Sequence, residues 1–334
     1  MGYIIGTDEA GYGPNLGPLV ISATVWQSPD GVGGEDLFGT LAGAVANSLP
    51  KKAEKNGLPV FADSKILYKS GGHLKLQPPH GPLCHLERGL WAAWSLMECN
   101  PTSGHEVWNT LAPGCLETIE GCDFFGQFDQ PLPRDIFPFP SEVEPDAKPE
   151  WRTNFEKSGV KLLAIRSRAV FPAEFNRLMD EHDSKGAALS HLTLSLAAEL
   201  IRPLEKGPIS VLCDKHGGRD RYAALLTDHF PDGFVEVLRE GRQQSVYRFG
   251  PPDRRVEFQF RAKAESCLPA ALASMASKYL RELAMDAFNA FWTAQVPDLA
   301  PTAGYPQDAR RFLDQIAPKQ RELKIDDSLI WRKK

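Results

Sequence analysis

The stretch Gly6-Thr7-Asp8-Glu9-Ala10-Gly11-Tyr12-Gly13-Pro14-Asn15-Leu16-Gly17-Pro18 sets two adjacent carboxylates between an apolar run (Tyr3, Ile4, Ile5) and a glycine-rich turn. Neighbours on a regular strand point to opposite faces. Gly11, Gly13 and Pro14 are expected to end the strand at once and let Asp8 and Glu9 turn toward one site. Adjacent anions at a strand end repel unless a cation lies between them, and carboxylate oxygens suit Mg2+ or Mn2+.

Outward from this stretch, residues 2–8 and 17–26 read as antiparallel neighbours joined by the glycine turn. A helix is expected over Gly34–Asn56, then a short charged connection, Asp63-Ser64-Lys65. Between residues 71 and 158 prolines accumulate. Apart from a helix near Leu86–Met97, this segment reads as an irregular insertion lying over the surface. Val160–Phe171 alternates like a strand, and helices follow over Pro172–Glu181 and Ala187–Leu204, the second with Leu189, Leu192, Leu196 and Leu200 at helical spacing. Ile209–Asp214 is an almost wholly apolar run ending in a carboxylate, as suits a central strand buried on both faces. A helix over Arg219–Phe230 precedes three strands, Val235–Leu238, Ser245–Phe249 and Val256–Arg261. A long alanine-rich helix spans Ser266–Ala290, and another covers Gln307–Ile316. Strands first, then alternating helices and strands, favour an α/β fold with a mixed sheet. Residues 1–334 are expected to form one domain, with 71–158 as its insertion and 280–334 as a C-terminal helical extension.

With 42% hydrophobic and 24% charged residues in a chain of 334, the composition is that of an ordinary globular protein with enough length for a sizeable core. A net charge of −5 and a pI near 5.9 argue against an indiscriminate nucleic-acid coat, yet leave room for a local basic groove. There is no apolar run of membrane-spanning length, and Met1 opens directly onto a strand, so neither a membrane segment nor a leader is expected. The six cysteines follow no framework spacing, which points to reduced thiols in a cytoplasmic monomer. Those of the insertion, with His85 and His105, also miss the paired spacing of a zinc site.

Besides Asp8 and Glu9, Asp214 closes the central strand and Glu265 opens the long helix. Strand ends of one sheet lie near one another, so these acids can converge, and four carboxylates around two divalent ions suit in-line phosphodiester hydrolysis. For any one of them alone, a turn or N-cap role is the plainer explanation.

Asp8-Glu9-Ala10-Gly11-Tyr12-Gly13-Pro14, with Gly17-Pro18, resembles the signature of type 2 ribonucleases H, the ribonuclease HII and HIII enzymes. Four further segments agree in order: Asp63-Ser64-Lys65; Asp214 after its apolar strand; Lys263-Ala264-Glu265-Ser266 with the following alanine- and serine-rich helix; and Gly304-Tyr305-Pro306. The resemblance covers about 1–70 and 160–310. It implies a ribonuclease H-like mixed sheet flanked by helices and endonucleolytic cleavage of the RNA strand of RNA–DNA hybrids. It also implies Asp8, Glu9, Asp214 and Glu265 as catalytic ligands of two Mg2+ or Mn2+ ions. Gly11, Tyr12 and Gly13 would approach the ribose 2′-hydroxyl, Ser64 and Lys65 a phosphate, and Tyr305 a nucleotide. Tyr12 departs from the arginine usual in ribonuclease HII, which removes a phosphate-pairing group. Glu265 follows the ribonuclease HIII pattern, without an N-terminal substrate domain of that kind.

Other residues carry weaker signals. Lys215, His216 and Arg219 after the third acid read mainly as solvated, and His191 as a satisfied, half-buried histidine. Arg239, Arg242, Arg248, Arg254, Arg255, Arg261 and Lys263 form either a duplex-binding surface or a solvated ribbon offset by nearby acids. The alternatives to a hybrid-cleaving enzyme are a non-catalytic nucleic-acid-binding relative of the same fold and a nuclease acting on another structured nucleic acid.

Overall fold

A computed structural model describes residues 1–50, 57–68, 81–125, 129, 149–182 and 184–333. Its frame is a seven-stranded sheet in the order β3-β2-β1-β4-β7-β6-β5. The strands are β1 (Gly2–Ala10), β2 (Leu19–Ser28), β3 (Lys161–Val170), β4 (Ile209–Asp214), β5 (Glu236–Arg239), β6 (Gln244–Phe249) and β7 (Val256–Arg261). β1 pairs antiparallel with β2 and parallel with β4, and β4 pairs parallel with β7. The middle of the sheet is therefore parallel and both flanks are antiparallel. β2 and β4, the near-continuous apolar runs, have neighbours on both sides and are buried almost throughout. This is the expected α/β architecture, a mixed sheet flanked by helices.

The helices are α1 (Leu37–Thr40), α2 (Ser64–Leu67), α3 (Cys84–Leu96), α4 (Gly104–Leu111), α5 (Leu116–Glu120), α6 (Glu150–Lys157), α7 (Pro172–His182), α8 (Lys185–Ile201), α9 (Ala223–His229), α10 (Leu268–Gln295) and α11 (Pro306–Glu322). α10 lies across β1 and β2 on one face, in a core that holds Ile4, Trp26, Leu272, Met275 and Trp292. On the other face Tyr3, Ile5, Leu189, Leu192 and Phe258 form a second core with α8 and α9.

Three expectations change. The described part of 71–158 is not irregular cover: besides α3, the helix expected there, it carries α4 to α6, and Leu86, Leu90, Trp94, Trp108 and Phe155 join the α10 core. Pro131, Pro133, Pro138, Pro140 and Pro145 lie outside the described residues, as do Pro78 and Pro79. The helix expected over Gly34–Asn56 is reduced to α1, since Gly43 takes a left-handed φ of +83° and Ala42 and Ala46 form isolated bridges with Val45 and Val60. Residues 51–56 of that range lie outside the described residues. The boundary at 280 falls inside α10, which is one continuous helix.

Candidate active site

β1 does not break before its acids. Its pairing with β2 continues through Asp8↔Ser22, Glu9↔Ile21 and Ala10↔Val20, so the two carboxylates leave the strand on opposite faces. Ile4 packs in the α10 core, and a Cβ built on Gly6 would stand 2.2 Å from the Pro269 carbonyl carbon. The even-numbered face of β1, Asp8 included, is therefore the α10 face. Only glycine permits the start of α10 to lie this close to the strand. That approach carries Glu265, in the 3₁₀ turn Ala264–Ser266 just before α10, toward the strand ends. The parallel register Gly6↔Leu212 and Thr7↔Cys213, continued by one residue, sets Asp214 beside Asp8.

Hydroxyls of α10 hold this corner. Ser277 Oγ donates to the Asp8 carbonyl at 3.0 Å and lies 2.8 Å from Ser22 Oγ. Ser274 is hydrogen-bonded with the Asp8 carboxylate and stands 3.0 Å from Ser64 Oγ. Asp63-Ser64-Lys65 is thus tied to the first acid, with Asp63 capping α2 through Lys65 N at 3.0 Å. Lys65 Nζ lies 3.9 Å from Glu265 Oε1 and 4.0 Å from Asp63 Oδ2.

The acids act on one another. Burial, with the charges of Glu9 and Asp214, holds the Asp8 carboxyl well above the usual carboxylate range. Glu9 is pushed up to about 7 by burial, by Asp214 and by Glu265, with Lys65 opposing. For Lys65 itself, burial works against the ammonium, but Asp63, Glu265, Asp8 and Asp214 outweigh it and raise its pKa. Glu265 Oε2 is buried without a hydrogen-bond partner among the described residues. No three His, Cys, Asp or Glu side chains among the described residues stand close enough to enclose an ion as placed. Four mutually repelling carboxylates around one lysine are expected to stand apart in this way.

A cleft of about 520 Å³ runs from Glu9 past Gly11, Ser64, Lys65 and Tyr305. Tyr305 is 58% exposed, and its ring edge lies 3.8 Å from where a Cβ on Gly13 would stand. The Gly304 carbonyl accepts from Asn15 N at 2.7 Å and from Leu16 N at 3.3 Å, which fixes Tyr305 beside the turn. Tyr12 turns away from this cleft: its ring packs against the second core and its hydroxyl approaches Gly217 and Gly186. The other expected substrate-binding residues (Gly11, Gly13, Ser64, Lys65 and Tyr305) do come together. The cleft also includes Tyr68, Lys278, Arg281 and Glu282, which sequence reasoning missed. Glu282 accepts from Tyr68 Oη at 2.7 Å, Lys278 Nζ at 2.6 Å and Arg281 Nη1 at 3.0 Å. The signal was present in α10, where Ser274, Lys278, Arg281 and Glu282 recur at helical spacing in an apolar helix.

No protein-family model matches the sequence, and neither does any curated protein. Among solved structures, the chain is similar to a ribonuclease HII from Archaeoglobus fulgidus determined in complex with PCNA, at 14% identity and a TM-score of 0.41 over 98% of this chain and 92% of that one. It is similar to a ribonuclease H2 from Pyrococcus horikoshii at 14% identity and a TM-score of 0.38, over 98% and 92% of the two chains. A Bst ribonuclease HIII in complex with Mn2+ is also 14% identical, with a TM-score of 0.38 over 99% of this chain and 66% of that one.

Around the acids, several charged residues have structural duties. Lys215 is not solvated: its ammonium donates to the Gly241 carbonyl at 2.7 Å and pairs with Asp220. His216 is buried against Ser190 Oγ at 3.1 Å, and burial, with the Arg219 charge, lowers its pKa to about 3. His191 is satisfied as expected, its Nδ1 3.1 Å from His229 Nε2. In the strand meander Arg248 pairs with Glu257 at 2.9 Å and Arg261 with Glu35, while Arg254 donates to the Ile201 carbonyl at 2.8 Å. Two of the seven basic residues named for that ribbon thus have their charge offset within the fold. All six cysteines are free.

Proposed function

We propose that this chain is a divalent-metal-dependent endonuclease that cleaves the RNA strand of RNA–DNA hybrids. One observation supports the proposal: the charges of Glu9 and Asp214 reach Asp8, and those of Asp214 and Glu265 reach Glu9, which itself lines a cleft. The donor set fits Mg2+ or Mn2+. It is all carboxylate oxygen, one buried oxygen of Glu265 lacks a partner among the described residues, and burial with neighbouring negative charge raises the pKa of Asp8 and of Glu9, a cost that a cation would offset. Asp8 would be shared between two ions, with Glu9, Asp214 and Glu265 completing their shells. Bound there, such ions supply a water of lowered pKa and charge stabilisation at the leaving oxygen.

The chain's own residues supply placement. Gly11 and Gly13 let backbone approach a ribose 2′-hydroxyl, the group that separates RNA from DNA. Tyr305 offers an exposed ring for stacking, and Lys65 with Ser64 meets a phosphate. Glu9, half protonated near neutrality, gives up its proton as the site fills. The test is cleavage of an end-labelled RNA–DNA hybrid with Mg2+ or Mn2+, beside Asp8→Asn and Asp214→Asn chains. Folded wild-type protein that leaves the hybrid intact with either ion sinks the proposal.

The placement of Lys65 among the acids favours one second reading, a binder whose lysine replaces the metal. Calorimetry showing tight hybrid binding with no heat from Mn2+ would select it.

A further inference from the structure

Beneath the glycine turn lies a buried cation to which the proposed chemistry gives no role. Arg332 is fully buried. Its Nη2 donates to the Gly11 carbonyl at 2.6 Å and also to the Pro14 carbonyl. Its Nε and Nη1 have no hydrogen-bond partner among the described residues, and its guanidinium lies 4.9 Å over the Phe175 ring. The backbone around it is fastened to the same turn. Asn15 Nδ2 donates to the Arg332 carbonyl at 3.0 Å, Arg332 N donates to the Asn15 carbonyl at 2.9 Å, and Leu16 bridges to Trp331. Arg281, also buried, donates to the Ala303 carbonyl at 2.9 Å, two residues before Tyr305.

Burying a guanidinium that meets no carboxylate is costly. Two neutral carbonyls offset that only in part. What the arrangement achieves is orientation: the Gly11 and Pro14 carbonyls are drawn inward, and Gly13 is left exposed beside Tyr305. Arg281 is offset by Glu282, so the positive potential added behind the turn, where a polyanion would lie, comes from Arg332. We propose that Arg332 is a positioning residue for nucleic-acid binding, setting the Gly11–Pro14 turn in the form that receives the ribose–phosphate strand. This rests on the function proposed above.

Full-length Arg332→Met and Arg332→Lys chains are compared with wild type, by fluorescence anisotropy for the Kd of a labelled hybrid and by steady-state cleavage with Mn2+. Methionine keeps the apolar stem and removes both donors. It is expected to raise Kd and KM about tenfold while kcat stays within about twofold. Lysine keeps the charge without the planar guanidinium that sets Nη2 between the two carbonyls, and is expected to raise them about threefold. Unchanged Kd and KM in the methionine variant overturn the proposal, as does a loss confined to kcat. If that variant melts below the assay temperature, the lysine variant decides, and wild-type Kd and KM there overturn it. Wild-type chain that binds the hybrid without cutting it refutes catalysis alone and leaves the Kd comparison standing. Wild-type chain that does not bind it refutes both.

Discussion

At the residue scale, the acids are costly to the fold in the absence of a cation. Carboxyls whose pKa values are raised on folding bind more protons folded than unfolded, so their contribution to stability falls as pH rises from the unfolded value near 4.5 to the folded value, about 7 for Glu9. Asp8→Asn removes one of the repelling charges. The metal-free variant is expected to be about 1–2 kcal/mol more stable than wild type at pH 8, with the gap shrinking toward pH 5, as urea unfolding at both pH values would show. The same substitution should cost roughly a thousandfold in hybrid cleavage, because a site that loses a shared ligand loses several kcal/mol of charge stabilisation. A variant less stable than wild type at pH 8 would contradict the repulsion. Tyr305→Ala should raise the KM for hybrid by roughly tenfold, about the worth of one stacked base, with kcat little changed in the same steady-state assay.

At the element scale, Gly6 shows how much of the site depends on one strand–helix contact. Gly6→Ala places a methyl group against the Pro269 backbone. Overpacking there is expected to cost about 2–3 kcal/mol, read as a lower urea midpoint, with activity falling as α10 and Glu265 are pushed off β1. Much of this level was legible in the sequence. The strands announced themselves as apolar runs bounded by turns, and the four acids sat at their ends or at a helix entrance, where such punctuation is visible locally. The α3–α4 region was harder. The helix through 86, 90 and 94 was legible from its period, but the surrounding prolines masked the helices after it, α4 to α6, and so a core-forming unit, as loop. Gly34–Asn56 erred the other way, since alanine and leucine suggested a helix that Gly43 at φ +83° interrupts. Arg332 and Tyr68 could not be found at all, because no local pattern marks a residue whose partners lie in distant parts of the chain.

For the whole molecule, the proposed ion site would link metal binding to stability. A ligand that binds only the folded state adds about 2.7 kcal/mol at a hundred times its Kd. Millimolar Mn2+ is therefore expected to raise the melting temperature of wild type, and more at pH 8 than at pH 6 because ions and protons compete for the same oxygens. Differential scanning fluorimetry should show the shift abolished in Asp214→Asn. The parallel β1–β4–β7 arrangement has a kinetic consequence as well. Parallel neighbours cannot be joined by a tight turn, so Asp8, Asp214 and Glu265 meet only after long loops have closed, a topology of high contact order. The four-acid site should then be among the last features to form. During refolding, activity should return with the slowest phase and lag behind helical circular dichroism, so that no half-folded chain can cut.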